Sequence, residues 1–375
     1  MHHKKQSQSC GSDDLLPCTV FRSFFLRKIL EVRENIAKML TSAGFTHIDY
    51  LFIGCIESLN SFDQVTVSEA CTLISNMKCK NSPTDVIPTC ILKSCNSVFS
   101  IALAHLANIS FTHGKFPTAY KMGHVIPLLK KPGLNISDPA NYRPITQLQT
   151  ISKLLEKLVL SRLRSHVTLS DNHNYFQSAY RSRHSCETAL LRLSNDVNLA
   201  MDTQNCSILL SLDISAAFDT IIHKIMLSRL SHDFSVTGVV LDWFKSYMCE
   251  RECYMSVGLS RSPTWLCDSG VPQGSVLGPL LFSLYISPVA RIFNKFGINH
   301  HQYADDTQMY TVTKPGLVLD LDNLNLCSTA LMNWFYENGL QLNSGKTDAI
   351  VFGTKAQLAK TNRSANIKVC DVDVA

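Results

Sequence analysis

Tyr303-Ala304-Asp305-Asp306 sets two carboxylates side by side, and Asp213 closes an apolar run, Ser207-Ile208-Leu209-Leu210-Ser211-Leu212, far upstream. Adjacent carboxylates on a tight turn, with a third at a strand end, suit a pair of Mg²⁺ ions. Two such ions about 3.5–4 Å apart clamp both the attacking and the leaving oxygen of a phosphoryl transfer. Mg²⁺ asks for little more, because phosphates and waters complete its shell. Each piece alone has a plainer meaning. An Asp-Asp pair is most often a solvated turn, and an Asp after an apolar strand is often a helix cap. Between them stands Val271-Pro272-Gln273-Gly274-Ser275, so that Gln273 follows Asp213 by 60 residues and Asp305 follows Gln273 by 32.

That ordered series resembles the palm motifs of reverse transcriptases, nearest to non-LTR (LINE-type) retrotransposons of the jockey and chicken-repeat branches. The resemblance runs from about Cys79 to about Gly353. It implies that Asp213 and Asp305 ligate metal directly, with Asp306 a supporting carboxylate and the Ile214 carbonyl a further ligand. It makes Phe218 a steric gate under the sugar of the incoming nucleotide; the plainer reading is a core Phe. Gln273 would pack on nucleotide and template, and Gly274 would permit close backbone approach. Lys346 resembles a general acid for the leaving pyrophosphate, with a surface lysine as the alternative. Arg143 is the candidate for the triphosphate, since a guanidinium on a rigid hairpin can make bidentate phosphate contacts. Lys130 and Lys131 are weaker candidates, one assisting the phosphates and one a surface charge. His300 and His301 read as surface or nucleic-acid-facing, and Asp219 as a helix cap.

The elements that must position these groups are legible in outline. His124–Gly133 and Asp138–Ile145, with Asn141-Tyr142-Arg143-Pro144-Ile145, read as a fingers hairpin, since Pro144 keeps Arg143 out of the helical region. Helices are expected over Phe21–Leu40, Val67–Met77 (Ser68 as N-cap), Ile91–Phe111, Ile151–His166, Ser185–Met201, Asp219–Leu230, Val239–Met248, Leu277–Ala290 and Leu324–Asn338. Gly339 would close the last of these. Tyr254–Val257 and Thr264–Cys267 read as a hairpin leading to the Pro-Gln-Gly turn, and Asn299–Val312 as the hairpin that carries the Asp pair. The Ser207–Leu212 strand is apolar on both faces, as a buried central strand should be.

The 375 residues carry a net charge of +5, compatible with a nucleic-acid partner without requiring one. Lys121, Lys130, Lys131, Arg143, Lys153, Lys157, Arg162, Arg164, Arg181, Arg183 and Arg192 could track phosphates or simply form a solvated face. The 14 cysteines lack metal-ligand spacing, and no signal peptide is visible, so the thiols read as reduced. Val271–Ala290 carries no charge, but Pro272, Gly274, Gly278, Pro279 and Pro288 break it, which argues for a buried turn and helix over a membrane span.

The resulting expectation is an α+β right-hand polymerase of fingers and palm, with an antiparallel palm sheet backed by helices and the thumb largely missing. Residues 1–65 would be an N-terminal extension or linker whose first 20 are disordered, 66–206 the fingers with the N-terminal extension of the polymerase, and 207–375 a palm truncated at the primer grip, with a reverse transcriptase domain over about 111–375. The function implied is RNA-directed DNA synthesis from deoxynucleoside triphosphates (dNTPs), with two Mg²⁺ (or Mn²⁺), an RNA template and a DNA primer. It would work inside the cell, in the nucleus, with no membrane and with oligomeric state left open. No nuclease motif precedes the polymerase, and Ile367-Lys368-Val369-Cys370 resembles the start of a primer grip at which the chain stops. A fragment or a decayed copy follows as an expectation, an enzyme by its motifs with loss of activity by truncation left open. The rivals are an inert retroelement remnant that binds nucleic acid and an intron-maturase-like protein, with RNA-directed RNA polymerase more distant.

Overall fold

The computed structural model describes residues 16–42, 57–314, 321–360, 367–369 and 372–374. The chain opens with α1 (Cys18–Leu40), α2 (Val67–Asn76), α3 (Thr89–Ser94) and α4 (Asn96–Thr112). The hairpin of β1 (Gly123–Leu129) and β2 (Tyr142–Gln147) follows, then α5 (Thr150–Thr168) and α6 (Cys186–Asp202). Next come β3 (Cys206–Leu212), β4 (Ile214–Ser215), α7 (His223–Ser228) and α8 (Gly238–Met248). Three strands, β5 (Arg251–Val257), β6 (Ser260–Arg261) and β7 (Trp265–Cys267), lead to α9 (Gly278–Ile286) and α10 (Val289–Phe296). The rest comprises β8 (Asn299–Tyr303), β9 (Asp306–Thr313), α11 (Leu321–Glu337), β10 (Gln341–Leu342), β11 (Asp348–Phe352), α12 (Lys355–Lys360), β12 (Ile367–Val369) and β13 (Val372–Val374).

The palm sheet has the order β11-β3-β9-β8, with every neighbouring pair antiparallel. β3 is buried on both faces, as its apolar run demands. On one face Leu209 and Tyr310 pack against Leu193 and Val197 of α6. On the other, Ile208, Leu210, Leu212 and Met309 join the main core. Each such aliphatic side chain contributes roughly 1.5–3 kcal/mol on burial. α9 is apolar all round and buried along its whole length, as a helix surrounded by core must be. Its N-terminus is met by the buried carboxylate of Glu156 on α5, which accepts from the Val276 and Leu277 amides at 2.7 and 3.1 Å.

The fingers hairpin β1–β2 is extended by β5, which lies parallel to β1 through Gly123–Val125 and Cys253–Met255. α1 packs on this sheet, with Cys18 and Phe21 against Val125, Tyr142, Cys253 and Met255. No helix among the described residues is long and apolar enough to cross a membrane.

Several local expectations need correction. α1 begins inside the stretch read as disordered; residues 1–15 lie outside the described residues. Thr66 rather than Ser68 caps α2, accepting from the Glu69 amide at 3.1 Å. The helix expected over Ile91–Phe111 is two, broken at Cys95. That over Leu277–Ala290 also divides, at Ser287-Pro288, because Pro288 has no amide to continue the ladder. The helix expected from Asp219 starts late: after β4 the chain stays in turns until α7 begins at His223.

Palm and fingers are joined at the Pro-Gln-Gly turn. The Thr146 amide of β2 donates to the Gln273 carbonyl at 2.7 Å. Gly274 has φ +125°, and a Cβ there would stand 2.5 Å from the Thr146 carbonyl oxygen. Gly274→Ala is therefore expected to cost on the order of 2–4 kcal/mol. Gly133→Ala, at φ +84° with open space around it, is expected to cost only about 1 kcal/mol. Urea midpoints of the two variants check this, and equal midpoints would refute it.

Candidate active site

The registers at one end of the palm sheet gather the acidic residues. β3 pairs with β9 as far as Leu212↔Thr307, so the next step along both strands brings Asp213 opposite Asp306. β8 and β9 close through Tyr303↔Asp306, leaving Ala304-Asp305 as a two-residue loop. Ala304 sits at φ +59°, where glycine is the usual occupant of a tight hairpin. The side chain of Gln177, 1% exposed, holds this turn. Its Nε2 donates to the Ala304 carbonyl at 3.0 Å, and its Oε1 accepts from the Ala304 amide at 2.9 Å. Gln302, just before the turn, exchanges backbone hydrogen bonds with the same segment: its amide donates to the Phe176 carbonyl and its carbonyl accepts from the Ser178 amide.

The carboxylates feel one another. Burial raises the Asp305 carboxyl above its ordinary range, the charges of Asp306 and Asp213 raise it further, and the Arg143 guanidinium works against them. Burial and Asp213 likewise raise Asp306, opposed by Lys346. Lys346 Nζ stands 3.4 Å from Asp213 Oδ2, and Asn343 Nδ2 donates to the same oxygen at 3.3 Å. The Asn343 amide takes the Asp213 carbonyl at 2.8 Å. β10, paired with β4 through Leu342↔Ile214, delivers this loop to the site and fixes the buried Ile214 backbone.

Arg143, exposed on β2, thus faces the acidic turn across the gap between fingers and palm. Lys130 is in its neighbourhood, since Arg143, Lys346 and Lys28 add to the burial that lowers its ammonium pKa. Its Nζ is engaged in the hairpin, donating to the Ala140 carbonyl at 2.7 Å. Phe218 stacks on Phe282 with ring centroids 4.8 Å apart and stays half-exposed. Gln273 Nε2 donates to Asp219 Oδ2 at 2.7 Å. Asp219 therefore caps no helix: it lies in the turn before α7, where burial lifts its carboxyl to about 6 against the pull of Gln273 and Lys28.

A family model described as reverse transcriptase (RNA-dependent DNA polymerase) matches residues 129–367. The chain belongs to the reverse transcriptase family. It is 28% identical over 298 residues to the RNA-directed DNA polymerase from mobile element jockey of Drosophila melanogaster, covering 78% of this chain and 32% of that protein. The jockey polymerase of Drosophila funebris is 27% identical over 297 residues, covering 77% and 32%. The chain thus spans about a third of these relatives, and its place is in the non-LTR, LINE-type branch with a right-hand polymerase fold. An apo telomerase structure from Candida tropicalis overlaps 67% of this chain and 52% of its own, at 14% identity and a TM-score of 0.46.

Reverse transcriptases use divalent metal ions. The donor set here fits such ions in kind: oxygen ligands only, with the proton affinity of Asp305 and Asp306 raised by burial and neighbouring carboxylates in a way a cation would relieve. Among the described residues, however, no three His, Cys, Asp or Glu side chains are gathered tightly enough to hold a metal as they stand. Lys346 occupies the Asp213 carboxylate instead.

Other residues of the chain depart from expectation. His300 and His301 are buried, at 3% and 5% exposure. His300 stacks on Phe293 at 4.3 Å and His301 Nε2 bonds Ser178 Oγ at 3.0 Å. Lys121 is buried with its ammonium on the Cys249 carbonyl, and Arg162 is tied to both oxygens of Glu69. Neither is free to meet a phosphate. Sequence reasoning missed Gln177, Asn343 and Glu156, because each acts through a partner more than a hundred residues away.

Gln177→Ala would strip both bonds from the strained turn and leave its amide and carbonyl unpaired, a loss of roughly 2–4 kcal/mol. Chemical unfolding measures it, and a change below about 1 kcal/mol would exclude the clamp. For Asp219, a folded-state pKa raised above the unfolded value means that the folded chain binds the extra proton. Stability from this group is therefore present at low pH and lost as pH rises from about 4 through about 6. Asp219→Asn is expected to flatten that decline and to stabilise the protein above pH 6 by on the order of 1–2 kcal/mol; parallel pH profiles that never converge would refute it.

Proposed function

We propose that this chain is the catalytic fingers and palm of a LINE-type RNA-directed DNA polymerase, which joins a dNTP to a primer 3′-hydroxyl on an RNA template. The observation that carries the proposal is the strand register that brings Asp213, Asp305 and Asp306 to one sheet end, facing Arg143. In this reading Asp213 and Asp305 hold two Mg²⁺, with Asp306 and the Ile214 carbonyl in support. Bound there, divalent cations supply the charge that makes the primer hydroxyl nucleophilic and neutralises the leaving pyrophosphate.

The protein groups orient and select. Arg143, with Lys130 behind it, meets the triphosphate from the fingers. The half-exposed ring of Phe218, held by its stack on Phe282, lies where a ribose 2′-hydroxyl would collide. Gln273 is fixed by Asp219 at the junction of palm and fingers, beside the expected nucleotide and template. Gly274 lets that junction close. Lys346 reaches Asp213 from the loop after α11, and on leaving it can give a proton to pyrophosphate. Residues 66–206 serve as fingers and 207–375 as palm, and action in the nucleus follows from target-primed copying.

The deciding experiment is primer extension on an RNA template with Mg²⁺, comparing this chain with Asp305→Asn plus Asp306→Asn. Extension by the parent and a loss of at least about 10³-fold in the double variant, with template-primer binding retained, is the expected result. Equal extension by both would remove these carboxylates from the chemistry.

A further inference from the structure

A cavity of about 150 Å³ is lined by Tyr175, Ser178, Arg183, His184, Thr188, Arg192 and His301, and so meets β8 at His301, a few residues before the acidic turn. A water takes about 30 Å³ of liquid volume, so there is room for a tetrahedral oxyanion with its hydration. The charge of the lining comes from two guanidiniums; beside them stand two imidazoles, and no carboxylate. Nε2 of the buried His301 ring lies 3.0 Å from Ser178 Oγ, where it can accept the hydroxyl proton and leave Nδ1 as the N–H; Nδ1 has no hydrogen-bond partner among the described residues. A buried ring nitrogen left unpaired is costly unless something else meets it.

The guanidiniums are available. Arg183 forms no ion pair among the described residues and sits at φ +63° in the turn before α6. Arg192 is held by a ring rather than an acid, its guanidinium lying 4.2 Å from the centroid of Phe176. Tyr175, at the rim, is 70% exposed and offers a face for a nucleobase. Tyr180, two residues beyond Ser178, lies within electrostatic reach of Asp305 and Asp306. A strand anchored in this cavity would therefore continue toward the catalytic turn.

We infer that this cavity binds one backbone phosphate of single-stranded nucleic acid, held by Arg183, Arg192 and His301 with a base stacked on Tyr175. Only the identity of that strand, as template leading to the acidic site, rests on the function proposed above. Free inorganic phosphate has the same chemistry, and the test separates the two sources.

Fluorescence anisotropy would follow a labelled single-stranded RNA over a range of salt, with parent, Arg183→Gln plus Arg192→Gln, and Tyr175→Ala. The double variant is expected to bind roughly tenfold more weakly at low salt, with the slope of log K against log salt reduced by about 0.7, the value of one single-strand phosphate. Tyr175→Ala is expected to weaken binding several-fold and leave the slope unchanged. Should loss of Arg192 from Phe176 unfold the chain, Arg183→Gln alone carries the same comparison. Unchanged affinity and slope in a folded arginine variant would overturn the inference. So would a thermal midpoint raised by inorganic phosphate in the parent alone, with RNA affinity equal in all chains. Primer extension run in parallel keeps the two readings apart: binding lost in the variants of a parent that does not extend supports the cavity and counts against the polymerase, and the converse pattern does the reverse.

Discussion

Three carboxylates at one sheet end repel, and the chain must hold them there before any cation arrives. Two unit charges 4 Å apart cost about 4 kcal/mol at an effective dielectric near 20, so the backbone around them has to be fixed by other means. The β3–β9 ladder does most of this, since Ile208, Leu210 and Leu212 are buried in the main core and set the register that fixes Asp213. Slipping that ladder by one residue would turn every apolar side chain to the wrong face. Gln177 fixes the turn itself, and Lys346 supplies a provisional positive charge to Asp213. The acidic site is thus a local cost carried by a core several times more favourable.

Much of this was legible because the signals are local. The apolar run before Asp213, the Pro-Gln-Gly turn, the two-residue loop before Asp306 and the helix signatures of α5, α6 and α11 all sit within a few residues of what they determine. The failures share an opposite cause. His300 and His301 look exposed on paper, but β8 is covered: the His300 ring packs against Phe176 and Phe293, and the His301 ring is buried against Ser178 at the wall of a cavity. Lys121 and Arg162 were counted with the phosphate-tracking cations, yet a distant carbonyl and a distant carboxylate claim them. Asp219 looked like a cap and serves as the acceptor for Gln273, 54 residues away. No window of sequence contains both members of these pairs.

The same long-range logic joins the two halves of the site. Arg143 belongs to a hairpin whose contacts with the palm run through Thr146 and the Gln273-Gly274 backbone. Glu156, from the helix that follows the hairpin, caps the helix that follows the Pro-Gln-Gly turn. The gap between Arg143 and Asp305 is therefore set by two backbone contacts and one buried carboxylate, and the surface charges around it have little say.

The parallel pairing of Gly123–Val125 with Cys253–Met255 bears on how the chain reaches this state. A parallel neighbour needs a crossover, and here the crossover contains β3 and the helices from α5 to α8. Contacts so distant in sequence form late, after the loop-closure entropy has been met. On the ribosome, α1 and the β1–β2 hairpin emerge well before β5, with Phe21 and Tyr142 able to meet edge to face but their cover from Cys253 and Met255 still unmade. Until β5 is synthesised, β1 offers an open edge, the kind of surface that invites strand exchange with other nascent chains. The hairpin that presents Arg143 is thus made long before the strand that secures it.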